Sequence, residues 1–193
     1  MKTDISFTDD RTLFKSLLKL AVPIMLSNLL QMLYNLADAF FLGKLGKEAV
    51  AAPSVSFNLI FFLTVFGLGF SMAGTTLIAQ SRGKNEKEKM DYYLGQMTAL
   101  VTIISVVISL LGLILANPLL KLLQVPEDAF DYTYQYITII FAGMPFMFMI
   151  FILQASMQGI GDSVTPLIIQ FFTVVLNIAL DPFFIFGWGP FPA

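Results

Sequence analysis

Residues 20–42 read LAVPIMLSNLLQMLYNLADAFFL, an apolar run broken by a single charge, Asp38, near its far end. A helix rising about 1.5 Å per residue needs roughly 20 residues to cross a hydrocarbon core of about 30 Å. This stretch is long enough, and four more follow it. Residues 49–79 carry no charge at all, 92–120 lie between Asp91 and Lys121, 132–157 between Asp131 and Asp162, and 164–186 read VTPLIIQFFTVVLNIALDPFFIF. A membrane β-barrel would instead show alternating segments of about 10 residues, and the runs show no such alternation. The sequence predicts an all-α, polytopic membrane helical bundle with about five transmembrane helices.

Composition agrees. The chain is 57% hydrophobic and 12% charged, where a soluble domain carries about 25% charged residues, and its mean hydropathy is +0.80. The expected surroundings are a lipid bilayer, in a multi-pass protein of the plasma (inner) membrane. Cysteine and histidine are both absent, which removes disulfides, Cys/His zinc sites, thiol nucleophiles and His-based acid–base chemistry. No G-x-S-x-G pattern is present, and no Ser/Lys pair lies within a span. An enzyme and a bound cofactor are therefore not expected. No basic patch with interleaved aromatics supports nucleic acid binding.

Positive residues predict the orientation. Lys2, Arg11, Lys15 and Lys19 precede the first span, and Arg82, Lys84, Lys87 and Lys89 join the second to the third. Only Lys44, Lys47 and Lys121 lie on the other side, so eight of the 11 Lys and Arg residues share the side of the N-terminus. That side is predicted to be cytoplasmic. The first apolar run is long and follows a polar lead, so the N-terminus reads as retained rather than cleaved. Residues 1–19 form that cytoplasmic amphipathic lead, with N-cap candidates in Ser6–Arg11, and 20–193 form a partial bundle. Glu127, Asp128 and Asp131 read as a solvated outer loop, with Pro126 ending the helix before it. Five spans put the C-terminus outside, in the turn-rich GWGPFPA of 187–193, which reads as a loop cut midway through a longer protein.

An Asp inside a spanning helix costs about 2.5–3.5 kcal/mol on insertion scales and marks a functional site by default. This chain has two, Asp38 and Asp181, and each ends a polar stripe. In the first span Asn28, Gln31, Asn35 and Asp38 recur at spacings of three, four and three; in the fifth, Gln170, Thr173, Asn177 and Asp181 recur at three, four and four. At about 100° per residue each set shares one helix face. Lipid cannot satisfy amides, so these faces must meet a cavity or partner helices. By helical rise both carboxylates lie roughly 26 Å from the inner boundary, in the outer third of the membrane. The alternative is a pair of interfacial carboxylates near helix ends, which would oppose the helix macrodipole.

Asn177 stands one turn below Asp181, so an amide oxygen and a carboxylate face one direction. Hard cations such as Na⁺ favour oxygen ligands, and a buried carboxylate can equally hold a proton; the residue types leave both open. Pro182 frees a backbone carbonyl one turn earlier, and Pro23 and Pro145 do the same in the first and fourth spans. Pro23 and Pro182 are the hinge candidates. The fourth span is rich in Phe and Met, among them Phe141, Met144, Phe148 and Phe151. Such side chains either pack and face lipid or adapt to varied guests. Gly67, Gly69, Ala73 and Gly74 suit close helix contacts.

Several motifs together resemble the MATE family, the multidrug and toxic compound extrusion transporters. They are Pro23 with LYNLAD (33–38) and Leu42-Gly43, GTTLIAQ (74–80), QGIGD (158–162) with Thr165-Pro166, and NIALDP (177–182). The resemblance implies twelve helices in two lobes around a central cavity, with this chain supplying the first five helices of the N-terminal lobe. It implies antiport of small organic cations or amphiphilic drugs against inward Na⁺ or H⁺, and a cation or proton site, with Na⁺ as the possible metal, at Asp38, Asn177 and Asp181. The implied partners are the remaining N-lobe helices and a C-terminal lobe. A lipid-linked saccharide flippase of related fold, an intramembrane enzyme and a non-transporting scaffold are the alternatives. No Lys or Arg lies within a span to meet a phosphate-bearing lipid, and a scaffold leaves the two stripes unexplained.

The orientation is testable with single cysteines at Lys84 and Trp188 and a membrane-impermeant thiol reagent on intact cells. Labelling is expected at Trp188 and not at Lys84; the reverse pattern overturns the assignment.

Overall fold

In a computed structural model the chain forms five helices in the order α1 (Asp10–Leu45), α2 (Lys47–Gly83), α3 (Lys87–Leu122), α4 (Glu127–Gly159) and α5 (Val164–Ile185). The structure describes residues 10–45 and 47–185, and the side chains of 13–44, 52–127 and 129–185. Ser6–Asp9, the side chain of Asp128, and 187–193 with Trp188 fall outside these ranges. All five helices are long and apolar enough to cross a membrane, and their outward faces are apolar: Phe146 is 76% exposed, Ile114 73% and Met72 72%. Each helix contains a proline: Pro23, Pro53, Pro118, Pro145 and Pro182. In α1 the chain continues through both Lys19 and Pro23 without a break.

The helix ends follow local chemistry. Beyond α2, α3 and α4 the backbone turns through left-handed residues, Asn85 (φ 57°), Gln124 (φ 53°) and Gly161 (φ 75°). At each, a backbone N–H reaches back five residues: Glu86 to the Ser81 oxygen at 2.9 Å, Val125 to Leu120 at 3.2 Å and Asp162 to Met157 at 2.8 Å. These bonds satisfy carbonyls that helix termini otherwise leave open. One sequence expectation is corrected here. Pro126 does not end α3, which stops at Leu122; it is the N-cap of α4, and Glu127 and Asp131 belong to the first turns of that helix rather than to a loop. Acidic groups at a helix N-terminus are favoured by its macrodipole.

The core belongs to α2, α3 and α4. One stripe on α3 is buried, Met97, Val101, Ser105, Ser109, Gly112, Ala116 and Leu120, at spacings of three and four that define a single helix face. It meets a matching stripe on α4, where Ile137, Phe141, Met144, Phe148 and Ile152 are buried with Leu63 of α2. Phe141, Met144 and Phe148 thus pack the core, while Phe146 faces outward.

Helices approach closely where side chains are absent. A Cβ on Gly112 would overlap the Phe141 ring, and one on Gly67 would sit 2.7 Å from Phe151. A Cβ on Gly159 would come within 3.1 Å of the Thr75 carbonyl oxygen. Gly74 likewise lies against Met97 and Ala155, whereas Gly69 has open space around it and Ala73 is exposed. Of the four small residues in α2, Gly67 and Gly74 therefore make the contacts. Hydroxyls reinforce the α2–α4 seam. Ser71 Oγ donates to the Phe151 carbonyl at 3.3 Å, and Thr75 Oγ1 reaches the Ala155 carbonyl at 3.3 Å.

Gly112→Val should force Phe141 out of place and lower stability by about 1–3 kcal/mol, the usual cost of overpacking. Gly95→Val, with nothing within 4 Å of its added Cβ, should not. Thermal unfolding of the two variants in detergent, followed by circular dichroism, compares them.

Candidate functional site

Helices α1 and α5 pair along their polar stripes. Gln170 Nε2 donates to Gln31 Oε1 at 3.0 Å, and Gln31 Nε2 donates along α1 to Asn35 Oδ1 at 3.4 Å. Two turns further along α5, Asn177 Nδ2 donates to Asp181 Oδ1 at 3.0 Å. The Asp38 carboxyl lies beside both, within side-chain hydrogen-bonding reach of Asn177 and Asp181. The three residues grouped from the sequence therefore meet across the α1–α5 seam.

Their surroundings are partly dry. Asp181 is 8% exposed, and Asp38 and Asn177 are half-buried. Asn177 Oδ1 and Asp181 Oδ2 are buried oxygens with no hydrogen-bond donor. Oxygen atoms left in this condition cost about 1–3 kcal/mol or more each. A cation or a proton shared with Asp38 would satisfy them, and oxygen-only ligation suits a hard ion. Among the described residues no three His, Cys, Asp or Glu side chains gather in one place, so a transition-metal cage does not fit here, whereas two carboxylates and an amide oxygen fit a monovalent cation.

Two further residues lie within electrostatic range of the site. Tyr34 lies near enough to feel the charges of Asp38 and Asp181, and Tyr136, from α4, that of Asp38. Tyr34 precedes Asp38 by one helical turn, a spacing visible in LYNLAD. Nothing in the sequence joins Tyr136 to the stripes, because its position depends on how α4 packs.

The remaining stripe residues divide. Gln31, Asn35 and Gln170 form the cross-helix ladder. Thr173 Oγ1 is turned back onto its own helix, donating to the Ile169 carbonyl at 2.9 Å, and Asn28 is exposed. Pro182 sits in the last turn of α5 beside Asp181, and Pro23 lies well inside α1. On the opposite side of the same helix pair is an apolar groove of about 640 Å³, lined by Leu26, Leu29, Leu30, Leu33, Leu167, Ile168, Phe171 and Phe172. The pair thus presents one polar and one apolar seam.

At the other end of α5 the chain is fixed by Asp162. Its Oδ1 accepts from the N–H groups of Val164 at 3.1 Å and Thr165 at 3.0 Å. Its Oδ2 accepts from Thr165 Oγ1 at 2.6 Å. These bonds, the Thr165 hydroxyl first, hold the carboxyl below the usual carboxylate range.

Five membrane-length helices, two of which share a carboxylate site, define an α-helical integral membrane protein with ionisable groups inside its spans. The MatE family profile matches residues 23–183, and the chain belongs to the MATE family of transporters. It is 34% identical over 182 residues to the probable multidrug resistance protein YoeA of Bacillus subtilis, covering 94% of this chain and 39% of that protein. It is 28% identical over 176 residues to the FAD transporter of Shewanella oneidensis, covering 91% of this chain and 39% of that one. A solved outward-facing multidrug-resistance MATE transporter superposes with a TM-score of 0.86 at 26% identity, over 91% of this chain and 39% of that chain. The fold is that of the MATE N-lobe. The chain spans about two-fifths of the length of these relatives.

Asp162→Ala should loosen the first turn of α5 and raise hydrogen exchange at Val164 and Thr165, while Asp162→Asn, which keeps a capping oxygen, should change little. Because the folded carboxyl titrates below its unfolded value of about 3.9, this protection should be complete above that pH. The part of it that depends on the charge should be lost as the pH falls through the lower folded value.

Proposed function

We propose that this chain forms the cation-coupled lobe of a multidrug efflux transporter, which exports cationic or amphiphilic drugs in exchange for inward Na⁺ or H⁺. The observation that carries the proposal is the convergence of Asp38, Asn177 and Asp181 with two buried, unsatisfied oxygens among them. Two carboxylates held close in a poorly solvated place repel each other unless a positive charge lies between them. Binding one Na⁺ or proton removes that repulsion. Release to the other side of the membrane restores it.

Coupling needs more than binding. The cation must bind one shape of the lobe more tightly than the other, since equal affinity shifts no equilibrium. Asp38 on α1 and Asp181 on α5 supply that difference if the surroundings of the two carboxylates, and with them the cost of leaving both charged, change during transport. Pro23 and Pro182, whose missing N–H groups leave carbonyls open, give these two helices places to bend. The multidrug-resistance relatives support drugs as cargo, and the relative named for FAD transport marks that cargo varies among similar chains. The amides of Gln31, Asn35 and Gln170 offer donors and acceptors to a polar cargo along the same helix faces. Nothing in this arrangement is built for catalysis, and the proposed role is transport.

The site is tested in the full-length protein. Asp38→Asn should abolish coupled drug export while leaving membrane insertion intact. Asp181→Asn should weaken coupling similarly, and Asn177→Ala to a smaller degree. Asp162→Asn, on the loop before α5, should retain export. Drug-efflux assays in cells with membrane levels matched by immunoblot decide it: wild-type export by both Asp38→Asn and Asp181→Asn sinks the site.

A further inference from the structure

The apolar seam of the α1–α5 pair is not used by the carboxylate site. Its groove of about 640 Å³ is lined only by Leu, Ile and Phe, from Leu26 to Leu33 on α1 and from Leu167 to Phe172 on α5. It therefore lies in the half of the membrane nearer the N-terminal ends of both spans. Leu26, Leu33, Ile168 and Phe171 remain exposed. The volume is within the range of small-molecule sites, and the side chains lining it offer a guest no hydrogen bond.

Below the groove, α1 carries charge on the same face. The helix runs unbroken from Asp10 to Leu45, so Lys15 and Lys19 share one helix with Leu26, Leu30 and Leu33. At about 100° per residue these five fall within an arc of roughly 60°. Both lysines are exposed. Among the described residues neither has an ion-pair partner; the salt bridge found there joins Lys89 to Glu86. By helical rise Leu26 stands roughly 10 Å beyond Lys19. One leaflet supplies about 15 Å of hydrocarbon, half of the core, so an acyl chain rooted at Lys19 enters the groove before it reaches the midplane.

We propose that this groove and the two lysines beneath it bind one anionic phospholipid from the leaflet on the N-terminal side, which the positive residues predict to be cytoplasmic. Its phosphate meets the ammonium groups of Lys15 and Lys19, and an acyl chain lies along Leu26, Leu30 and Leu33 against Leu167 and Phe171. Lysine suits this position, because its stem lies along apolar surface while its ammonium reaches the headgroup level. An apolar face alone would be wetted by any lipid; the aligned charges select the headgroup. Asp162, at the foot of α5, has both carboxylate oxygens engaged by Val164 and Thr165. The lipid site is independent of the cation site, and it ties α1 to α5 along their apolar side as the Gln170–Gln31 bond does along the polar one.

Photo-crosslinking of the full-length protein tests it, in phosphatidylcholine nanodiscs doped with an acyl-diazirine analogue of either phosphatidylglycerol or phosphatidylcholine. Adducts are mapped by peptide mass spectrometry. The phosphatidylglycerol analogue is expected to label the groove residues of α1 and α5 about tenfold more than the phosphatidylcholine analogue, the scale set by two surface lysines. Unlabelled phosphatidylglycerol should compete, and inorganic phosphate should not. Lys15→Gln with Lys19→Gln should bring the two analogues level. Lys84→Gln with Lys87→Gln, the same loss of charge at the α2–α3 connection, should preserve the preference. Equal labelling of the wild-type groove by both analogues would mean ordinary lipid contact and would overturn the proposal. So would a groove that neither analogue labels, the result if another helix of the longer protein fills it. A preference lost as fully in the Lys84/Lys87 variant as in the Lys15/Lys19 variant would overturn it as well, by showing an effect of overall charge.

Discussion

A carboxylate or an amide inside hydrocarbon must find a partner within the protein, and the fold of this chain is arranged around that requirement. Two helices far apart in sequence each carry a polar face, and each would be costly to expose to lipid. Laid against one another, α1 and α5 satisfy part of that demand through the Gln170–Gln31 bond at 3.0 Å and the Asn177–Asp181 bond at 3.0 Å. What they leave unsatisfied, two buried oxygens beside Asp38, is the feature on which the proposed cation-binding role rests.

The other three helices solve a different problem. Lipid tails are as apolar as leucine, so apolar faces alone supply little drive for helices to associate within a membrane. Close packing has to do it, and glycine permits the closeness. Gly67, Gly112 and Gly159 stand where a Cβ would collide with a neighbouring helix, and the aromatic and Met side chains of α4 fill the resulting space. Hydroxyls at Ser71 and Thr75 then bond across the seam to backbone carbonyls. The same chain thus contains a tightly filled block and a polar-stapled pair, and family membership places both in a transporter lobe.

The difference between the two groups bears on function because transport requires one part of a lobe to change while another holds its shape. A site located wholly inside the packed block would be rigid; one located wholly on the surface would have no energetic leverage in water. Here the carboxylates lie on the α1–α5 pair, partly desolvated and within electrostatic range of Tyr136 of the block. An apolar groove on the reverse of the α1–α5 pair is lined by side chains of both helices.

Much of this was determined by the sequence itself, because the physics concerned acts locally. The length of each apolar run is set by the thickness of hydrocarbon it must cross, so the five helices and their all-α character follow from residues 20–42 and their four counterparts. The polar stripes follow from helical periodicity and the shared depth of Asp38 and Asp181 from helical rise, while their grouping with Asn177 as one site is what the family resemblance implies. Helix ends were less legible: Pro126 looked like a terminator and is an N-cap, because proline suits either side of a helix start and only the course of the chain chooses. The tertiary structure alone decided that Gly67 and Gly74 make contacts while Gly69 does not, and that Phe141 and Phe148 face the core while Phe146 faces out. It alone brought Tyr136 to Asp38 and divided the bundle into a block and a pair. Each of these depends on which helix faces which, and a periodicity read along one helix cannot say what stands opposite.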